Sequence, residues 1–297
     1  MVKVGNCPDS WGVWFDKDDK QMSWLRFTEE CSRAGFKYIE IGPLGYMSTD
    51  PSVLNEEFKK RGLVPVAGNI MFDLEDDSLM EASINKTKTV CELSKKIGAE
   101  YFIIMDGMYS DMWTGELLKP KALDEDAWKR LVKNLVAISR VAQDCGIKPV
   151  FHPHAATHVE YEPQIERLLA ETSPKDVMLC FDTGHHIYCE GNDVYSFMEN
   201  YADRISFLHL KDLVKPIKEE VWKKDISFSQ ATKMGVWAEI GKGEIDFVRI
   251  KKILDKNGFN GYAIIEHDMY PVDFDVPFEI QKRTGEYLTS IGFGTLE

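Results

Sequence analysis

No histidine precedes His152 in this 297-residue chain. No CxxC pair, no basic cluster and no apolar run near membrane-span length occurs anywhere in it. Each absence narrows the field. The charge balance is 36 basic against 49 acidic residues, a net of −13, and such a surface repels phosphate backbones, so nucleic acid is not an expected partner. A membrane helix needs ~20 consecutive apolar residues, and none is present. The opening MVKVGNCPDSW lacks the apolar stretch of a signal peptide, so a cytoplasmic protein with no membrane partner is expected. Six cysteines without framework spacing, Cys7, Cys31, Cys91, Cys145, Cys180 and Cys189, read as small buried hydrophobes in a reducing compartment. What remains is ordinary globular composition, 44% hydrophobic and 29% charged, enough to bury a large core.

One punctuation recurs along the chain: a helix-like stretch, a glycine, then a β-rich run. It falls at Gly35, Gly62, Gly98, Gly146 and Gly258. A glycine there takes the left-handed conformation that ends a helix cheaply, so each marks a helix-to-strand corner. The preceding stretches carry helical periodicity; Leu131, Leu135, Ile138 and Ala142 space as i, i+4, i+7 and i+11. The apolar runs are VKVGN, KYIEIG, VPVAGN, YFIIMD, PVFHPH, VMLCFD, ISFLHL and AIIEH, eight in all. Continuous apolarity suits parallel strands covered on both faces. Eight βα units with no low-complexity linker predict an α/β fold, a (β/α)8 TIM barrel, as a single domain over 1–297. A doubly wound sheet would place a Gly-rich phosphate turn after the first strand, where this chain continues NCPDSWGVW. Two long βα loops, 107–123 and 212–243, are expected on the catalytic face, the second serving equally as an oligomer or partner-subunit contact.

Four runs in the second half end in residues that bind metals or move protons: KPVFHPH (148–154), VMLCFDTGHH (177–186), RISFLHLKD (204–212) and YAIIEHD (262–268). A buried strand has no packing reason to end so, because desolvating such groups without partners costs several kcal/mol. If these strands are neighbours, their ends converge at the barrel mouth. His152 and His154, two apart, would share a face. Asp182 terminates VMLCF directly, where a structural Asp would more naturally cap a helix one or two residues later. Strand 7 ends in His209 with Lys211 on the same face, and strand 8 ends in Glu266. Glu160, six residues beyond His154, is near enough to fold back. Three carboxylates and one imidazole from Glu160, Asp182, His209 and Glu266 suit a divalent ion, Mn²⁺ first, with Co²⁺ or Mg²⁺ as alternatives. Such an ion polarises a carbonyl while a neighbouring base removes the adjacent proton; His154 and His185 are the spare titratable groups. In the first half, Glu40, Asn69 and Asp106 end strands 2, 3 and 4 and are candidates for polyol hydroxyls, with a structural role the competing reading. Trp11 or Trp14 of SWGVW is a candidate to stack on a sugar-like ring, with one of the pair in the core.

At these residues the chain resembles the xylose-isomerase-like barrel superfamily of sugar isomerases and epimerases, and within it the inosose dehydratase branch. The matching pieces are PDSWGVW, FHPHAATHVE with PQIERLL, FDTGHHIYCEGND, HLKD, ISFSQATKMGVWAEIGKGEIDF and IEHDMYP, spread over nearly the whole chain. The resemblance implies one divalent metal, often manganese or cobalt, and a small-molecule keto-polyol or keto-sugar substrate. Carried over by position, Glu160, Asp182, His209 and Glu266 are the ligands, while His154, His185 and Lys211 face the substrate, with His152 beside them. The chain departs from the branch in having Glu160 where a Gln is usual, and Glu239-Ile240-Gly241-Lys242-Gly243 where a Pro-Leu-Gly-Asp-Gly turn is usual.

The expected activity is therefore a metal-dependent lyase that removes the proton beside a ketone and expels a β-substituent. An isomerase or epimerase working through an enediolate is the runner-up. A C-glycoside-cleaving lyase acting on 3-keto glycosides shares the same chemistry. A non-catalytic barrel subunit predicts a broken ligand set, and a metal nuclease of this fold would want basic surroundings that the charge denies.

Overall fold

The computed structural model describes residues 2–190 and 193–294. Gly191 and Asn192 of the FDTGHHIYCEGND stretch lie outside the described residues. The strands are β1 (Lys3–Asn6), β2 (Tyr38–Glu40), β3 (Val64–Phe72), β4 (Tyr101–Asp106), β5 (Lys148–Phe151), β6 (Leu179–Asp182), β7 (Ile205–Leu210), β8 (Asp212–Leu213), β9 (Trp237–Ala238) and β10 (Tyr262–Ile265). Eight close into a parallel barrel in the order β1-β10-β7-β6-β5-β4-β3-β2, and β8 pairs antiparallel with β9 as a small ribbon outside it. The helices are α1 (Trp24–Arg33), α2 (Pro51–Arg61), α3 (Met80–Ile97), α4 (Glu125–Asp144), α5 (Glu162–Glu171), α6 (Thr183–Glu190), α7 (Val194–Asn200), α8 (Lys215–Lys224), α9 (Phe228–Lys233), α10 (Phe247–Lys256) and α11 (Pro277–Ser290). The chain is thus a single TIM barrel.

Local chemistry accounts for the elements. All five expected corner glycines have positive φ, from +65° at Gly258 to +92° at Gly35. Helix α4 starts where Asp124 accepts the Ala127 N–H, and it turns its stripe of Leu131, Leu135, Ile138 and Ala142, all 0% exposed, onto the barrel. Two strand ends differ from the sequence pattern. Strand β3 runs on to Phe72, past Asn69, because its ladder with β4 continues to the Phe72–Asp106 pair. Strand β5 stops at Phe151, so His152 and His154 stand in the loop just beyond it. The 212–243 segment is not a plain loop: it holds α8, α9 and the β8–β9 ribbon. It folds over the mouth, with Phe228 and Trp237 both packed on the His185 ring. Among the described residues no helix is long and apolar enough to cross a membrane.

Candidate active site and metal centre

The C-terminal ends of β5, β6, β7 and β10 bring four side chains together, and each presents one buried atom that makes no well-formed hydrogen bond within the protein. These are His152 Nε2, Asp182 Oδ2, His209 Nδ1 and Glu266 Oε2. His209 Nδ1 lies 2.9 Å from Glu266 Oε2 and 3.8 Å from Asp182 Oδ2; His152 Nε2 lies 3.8 Å from Glu266 Oε2. An orphaned buried polar atom is destabilising by about 1–3 kcal/mol, so four converging on one point call for a shared partner.

The remaining atoms of these residues show how each ligand is aimed. His152 Nδ1 is 2.8 Å from the Pro153 carbonyl, to which it donates, so Nε2 carries the lone pair. His209 Nε2 donates to Glu40 Oε1 at 2.8 Å, which aims Nδ1 at the cluster. Asp182 Oδ1 accepts the His185 N–H at 2.7 Å and so caps α6, while Oδ2 stays with the cluster. Helix α6 begins at Thr183, the residue immediately after the strand, so one carboxylate serves both purposes. Burial pushes the Asp182 carboxyl up to about 7, with the neighbouring Glu266 charge adding to it, and Lys211 opposes both. Burial alone is the chief reason His152 sits down at about 4, an imidazole neutral near pH 7 with its lone pair available.

Lys211 threads into this cluster. Its Nζ lies 2.8 Å from Asp268 Oδ2, 3.0 Å from Glu266 Oε2, 2.9 Å from His185 Nε2 and 3.5 Å from Asp182 Oδ2. The stem passes Gly184, where a Cβ would stand 2.5 Å from Lys211 Cγ, so no larger residue fits. Burial works against the ammonium, and the Asp182, Asp268 and Glu266 carboxylates outweigh it, holding the pKa well above the usual value. Lys211 is therefore a cation here, and His185 Nε2 accepts from it. His185 also falls in a possible metal-binding group with His152, Asp182 and Glu266. Its Nε2 is taken by Lys211, whereas His209 Nδ1 makes no well-formed hydrogen bond, which makes His209 the better candidate for the fourth position.

A cavity of about 520 Å³ opens onto the cluster, lined on its polar side by Asp9, Asn69, His154, His209, Glu266 and Asp268. His154 donates Nδ1–H to the Ala155 carbonyl at 2.7 Å, leaving Nε2 as an acceptor, and burial lowers its pKa to about 4. Trp14 forms an aromatic wall, its indole N–H donating to Asp268 Oδ1 at 3.1 Å and its ring stacked on Tyr270 at 5.1 Å.

The structure places five of the sequence-based candidates differently. Glu160 is not among the converging atoms: Oε1 accepts from Tyr109 Oη and Oε2 from the Ala156 N–H, both at 2.7 Å, and the residue lines a different cavity. The loop after β5 turns it sideways, and His152 occupies the place it was expected to fill. His152, expected against the substrate, thus stands with the candidate ligands. Trp11 lies in the core at 0% exposure, donating to Glu30 Oε2 and packed edge-on against Phe27. Glu40 and Asp106 are fully buried and already bonded, Glu40 to His209 and Asp106 to His158 Nδ1 at 2.8 Å and to the His158 N–H. Both position other residues and do not face the cavity. Asn69 does line it, with Asp182, His209 and Glu266 in the cluster and His154, His185 and Lys211 around it. Trp14, the other ring of SWGVW, does line the cavity, while sequence reasoning missed Asp9 as a cavity residue and Asp268 as the partner of both Lys211 and Trp14. The signal for Asp9 was a carboxylate three residues past the end of β1, in the motif NCPDSW.

A closed parallel barrel that gathers buried imidazoles and carboxylates at the C-terminal ends of its strands defines a TIM-barrel protein with a metal-type site. The chain belongs to the Xylose isomerase-like TIM barrel family, which it matches over residues 28–290. An inosose dehydratase of Clostridium beijerinckii is 30% identical over 297 residues, covering 97% of this chain and 96% of that protein. An inosose dehydratase of Geobacillus kaustophilus is 31% identical over 295 residues, covering 96% and 93%. Among solved structures, the IOLI protein with a bound zinc atom superposes with a TM-score of 0.72 at 19% identity, covering 98% of both chains. The probable 3-DHS dehydratase AsbF of Bacillus anthracis gives 0.73 at 15% identity, covering 97% of this chain and 99% of that one. At these identities the two structures speak for the fold.

Proposed function

We propose that the chain is a divalent-metal-dependent lyase that dehydrates a keto-polyol or keto-sugar, inosose dehydration being the form its relatives' name indicates. The observation that carries this reading is the set of four orphaned atoms on His152, Asp182, His209 and Glu266. Two imidazoles and two carboxylates suit Mn²⁺ or Co²⁺ and fit Mg²⁺ less well. His152, Asp182, His209 and Glu266 would hold such an ion, which would supply Lewis-acid polarisation of a ketone oxygen and so a more acidic neighbouring C–H.

The chain's own groups supply the rest. His154 Nε2 has its lone pair on the cavity side and takes the proton from the carbon beside the ketone. The C–H electron pair becomes the new C=C, and the β-hydroxyl departs. Asp9 lines the same cavity, and burial together with the Glu266, Asp268 and Glu40 charges holds its carboxyl well above the usual range, with Lys211 opposing. It supplies the proton with which the hydroxyl leaves as water. Lys211 is the fixed positive charge beside the oxygen that becomes negative, and His185 keeps it in place. Trp14 and Phe228 limit water at the reacting carbons.

Product analysis in deuterated water tests this. Dehydration gives a product lighter by one water, whereas an epimerase would return substrate mass carrying deuterium. Full activity and metal content in Glu266→Gln would sink the reading. A second reading, cleavage of a 3-keto glycoside, draws support from the outer half of the cavity, where Leu44, Ile70, Met71, Met105, Met108 and Met112 offer an apolar surface suited to an aglycone. A panel of keto-inositols and phenyl 3-keto glycosides separates the two by kcat/KM.

A further inference from the structure

Glu160, turned away from the metal cluster, is the base of a second cavity of about 460 Å³. Its lining and that of the metal-site cavity share the Phe228 side chain alone. Phe228 packs on His154 at 5.2 Å and on His185 at 5.8 Å, so it is the wall between the two spaces. The β5–α5 loop supplies Glu160 and Tyr161, the 107–123 loop supplies Tyr109 and Lys121, and α8 supplies Trp222. We propose that this cavity is a second binding site, for a neutral polyhydroxylated ring such as a polyol or a sugar, with Glu160 as its hydrogen-bond acceptor.

Three observations support the assignment. The first is the state of the Glu160 carboxylate. It is buried and fixed by Tyr109 Oη and the Ala156 N–H, whereas its contact with the Cys189 thiol, at 3.9 Å, is long and weak and is the one a ligand hydroxyl would replace. The second is the aromatic rim. Tyr161 and Trp222 stand 41% and 44% exposed beside the cavity, and the indole is locked by its N–H to the Tyr188 carbonyl at 2.7 Å. Rigid, half-exposed rings next to a carboxylate offer apolar faces for the C–H side of a sugar ring and an acceptor for its hydroxyls. The third is backbone strain. Ala156 has φ +61°, an uncommon conformation for a residue with a Cβ, and it is held there by its N–H to Glu160 and by the Tyr109 N–H to its carbonyl at 2.9 Å. Such strain persists where the surroundings over-determine it, and here they aim the Glu160 carboxylate. Charge sets the ligand class: Glu160 and Asp225 against a single Lys121 leave the lining net negative, so a phosphorylated ring is repelled and a neutral one is not.

Cys189 lines this cavity, its thiol 3.9 Å from Glu160 Oε2, and gives a readout independent of catalysis. The metal-loaded protein is alkylated with iodoacetamide in the presence and absence of myo-inositol, and each cysteine is followed by peptide mass spectrometry. Saturating myo-inositol is expected to slow Cys189 at least about threefold and to leave the half-buried Cys145 unchanged as internal reference. Glu160→Gln raises the concentration needed for half-protection about tenfold, while Glu266→Gln leaves protection in place. Unprotected Cys189, protection unaltered by Glu160→Gln, or protection abolished by Glu266→Gln would each overturn the proposal, the last by returning the ligand to the metal cavity. If Cys189 resists alkylation in the native chain, saturation-transfer NMR of myo-inositol on the wild type, Glu160→Gln and Trp222→Ala reads the same site. A signal undiminished in both variants overturns it too. The lyase reading fails separately, on metal content and product mass.

Discussion

The two halves of the barrel share one architecture and divide its work. From β5 onward, every strand end that closes the barrel delivers a metal-type ligand: His152, Asp182, His209 and Glu266. From β1 to β4 the corresponding ends deliver supports and walls: Glu40 behind His209, Asp106 behind His158, and Asp9 and Asn69 on the cavity surface. Two strand ends of each kind can look alike in sequence, a carboxylate closing an apolar run. What separates Asp182 from Asp106 is whether an oxygen is left over once the local donors are counted. Asp182 Oδ2 makes no hydrogen bond, with Lys211 Nζ 3.5 Å away, while Asp106 spends Oδ1 on the Leu74 N–H and Oδ2 on His158. The division of labour is thus set by hydrogen-bond bookkeeping at the strand end.

That contrast can be broken at four points. Glu266→Gln removes a ligand charge and a partner of Lys211, and is expected to abolish metal binding and lower kcat at least ~10²–10³-fold; metal analysis with steady-state kinetics checks it. Glu40→Ala leaves His209 Nε2 without its acceptor and is expected to weaken metal affinity about 10–100-fold, with Glu40→Gln recovering most of the loss because its amide oxygen still accepts. Metal titration against a competing chelator measures both. Asp106→Asn strips the charge that holds His158, whose Nε2 in turn reaches the Pro120 carbonyl at 3.2 Å. Its expected effect is on stability, a loss of about 1–3 kcal/mol by denaturant unfolding with metal content unchanged. If Asp106→Asn instead empties the metal site, the two halves are not functionally distinct. The smallest effect is expected for Glu160→Gln, which should bind metal as the wild type does. Loss of metal in that variant would restore Glu160 to the ligand set.

Much of this was legible in the sequence because it depends on strong local rules. The glycine corners and the continuous apolar runs are short-range signals, and they located all eight barrel strands. Asp182, His209 and Glu266 stand within one residue of a strand end, where the strand itself fixes direction. Glu160 lies nine residues beyond Phe151, and there direction is set by tertiary bonds from Tyr109 and Ala156 that no spacing encodes. Trp11 and Trp14 show the same limit. They are three residues apart around a short 3₁₀ turn ending at Gly12, and only the turn's handedness sends one to Glu30 and the other to Asp268. The departure at 239–243 also reads differently in three dimensions. Asp212 accepts the N–H groups of Gly241, Gly243 and Ile245, and a Cβ at Gly243 would stand 2.2 Å from its Oδ1, so the glycines that hold the loop are retained although its other residues differ.

Lys211 carries a consequence for how the protein is assembled. Asp182, Glu266 and Asp268 crowd one buried spot, and a barrel closing on three bare carboxylates would meet strong mutual repulsion. The ammonium reaching in past Gly184 is a built-in counter-charge, present from the moment the chain folds. Small domains that lack such a charge stay unfolded until their ion arrives. Here closure of the scaffold and loading of the ion are separable events, in that order. Chelator-treated protein is expected to keep its barrel by circular dichroism and to regain full occupancy on adding the ion, with no refolding step between.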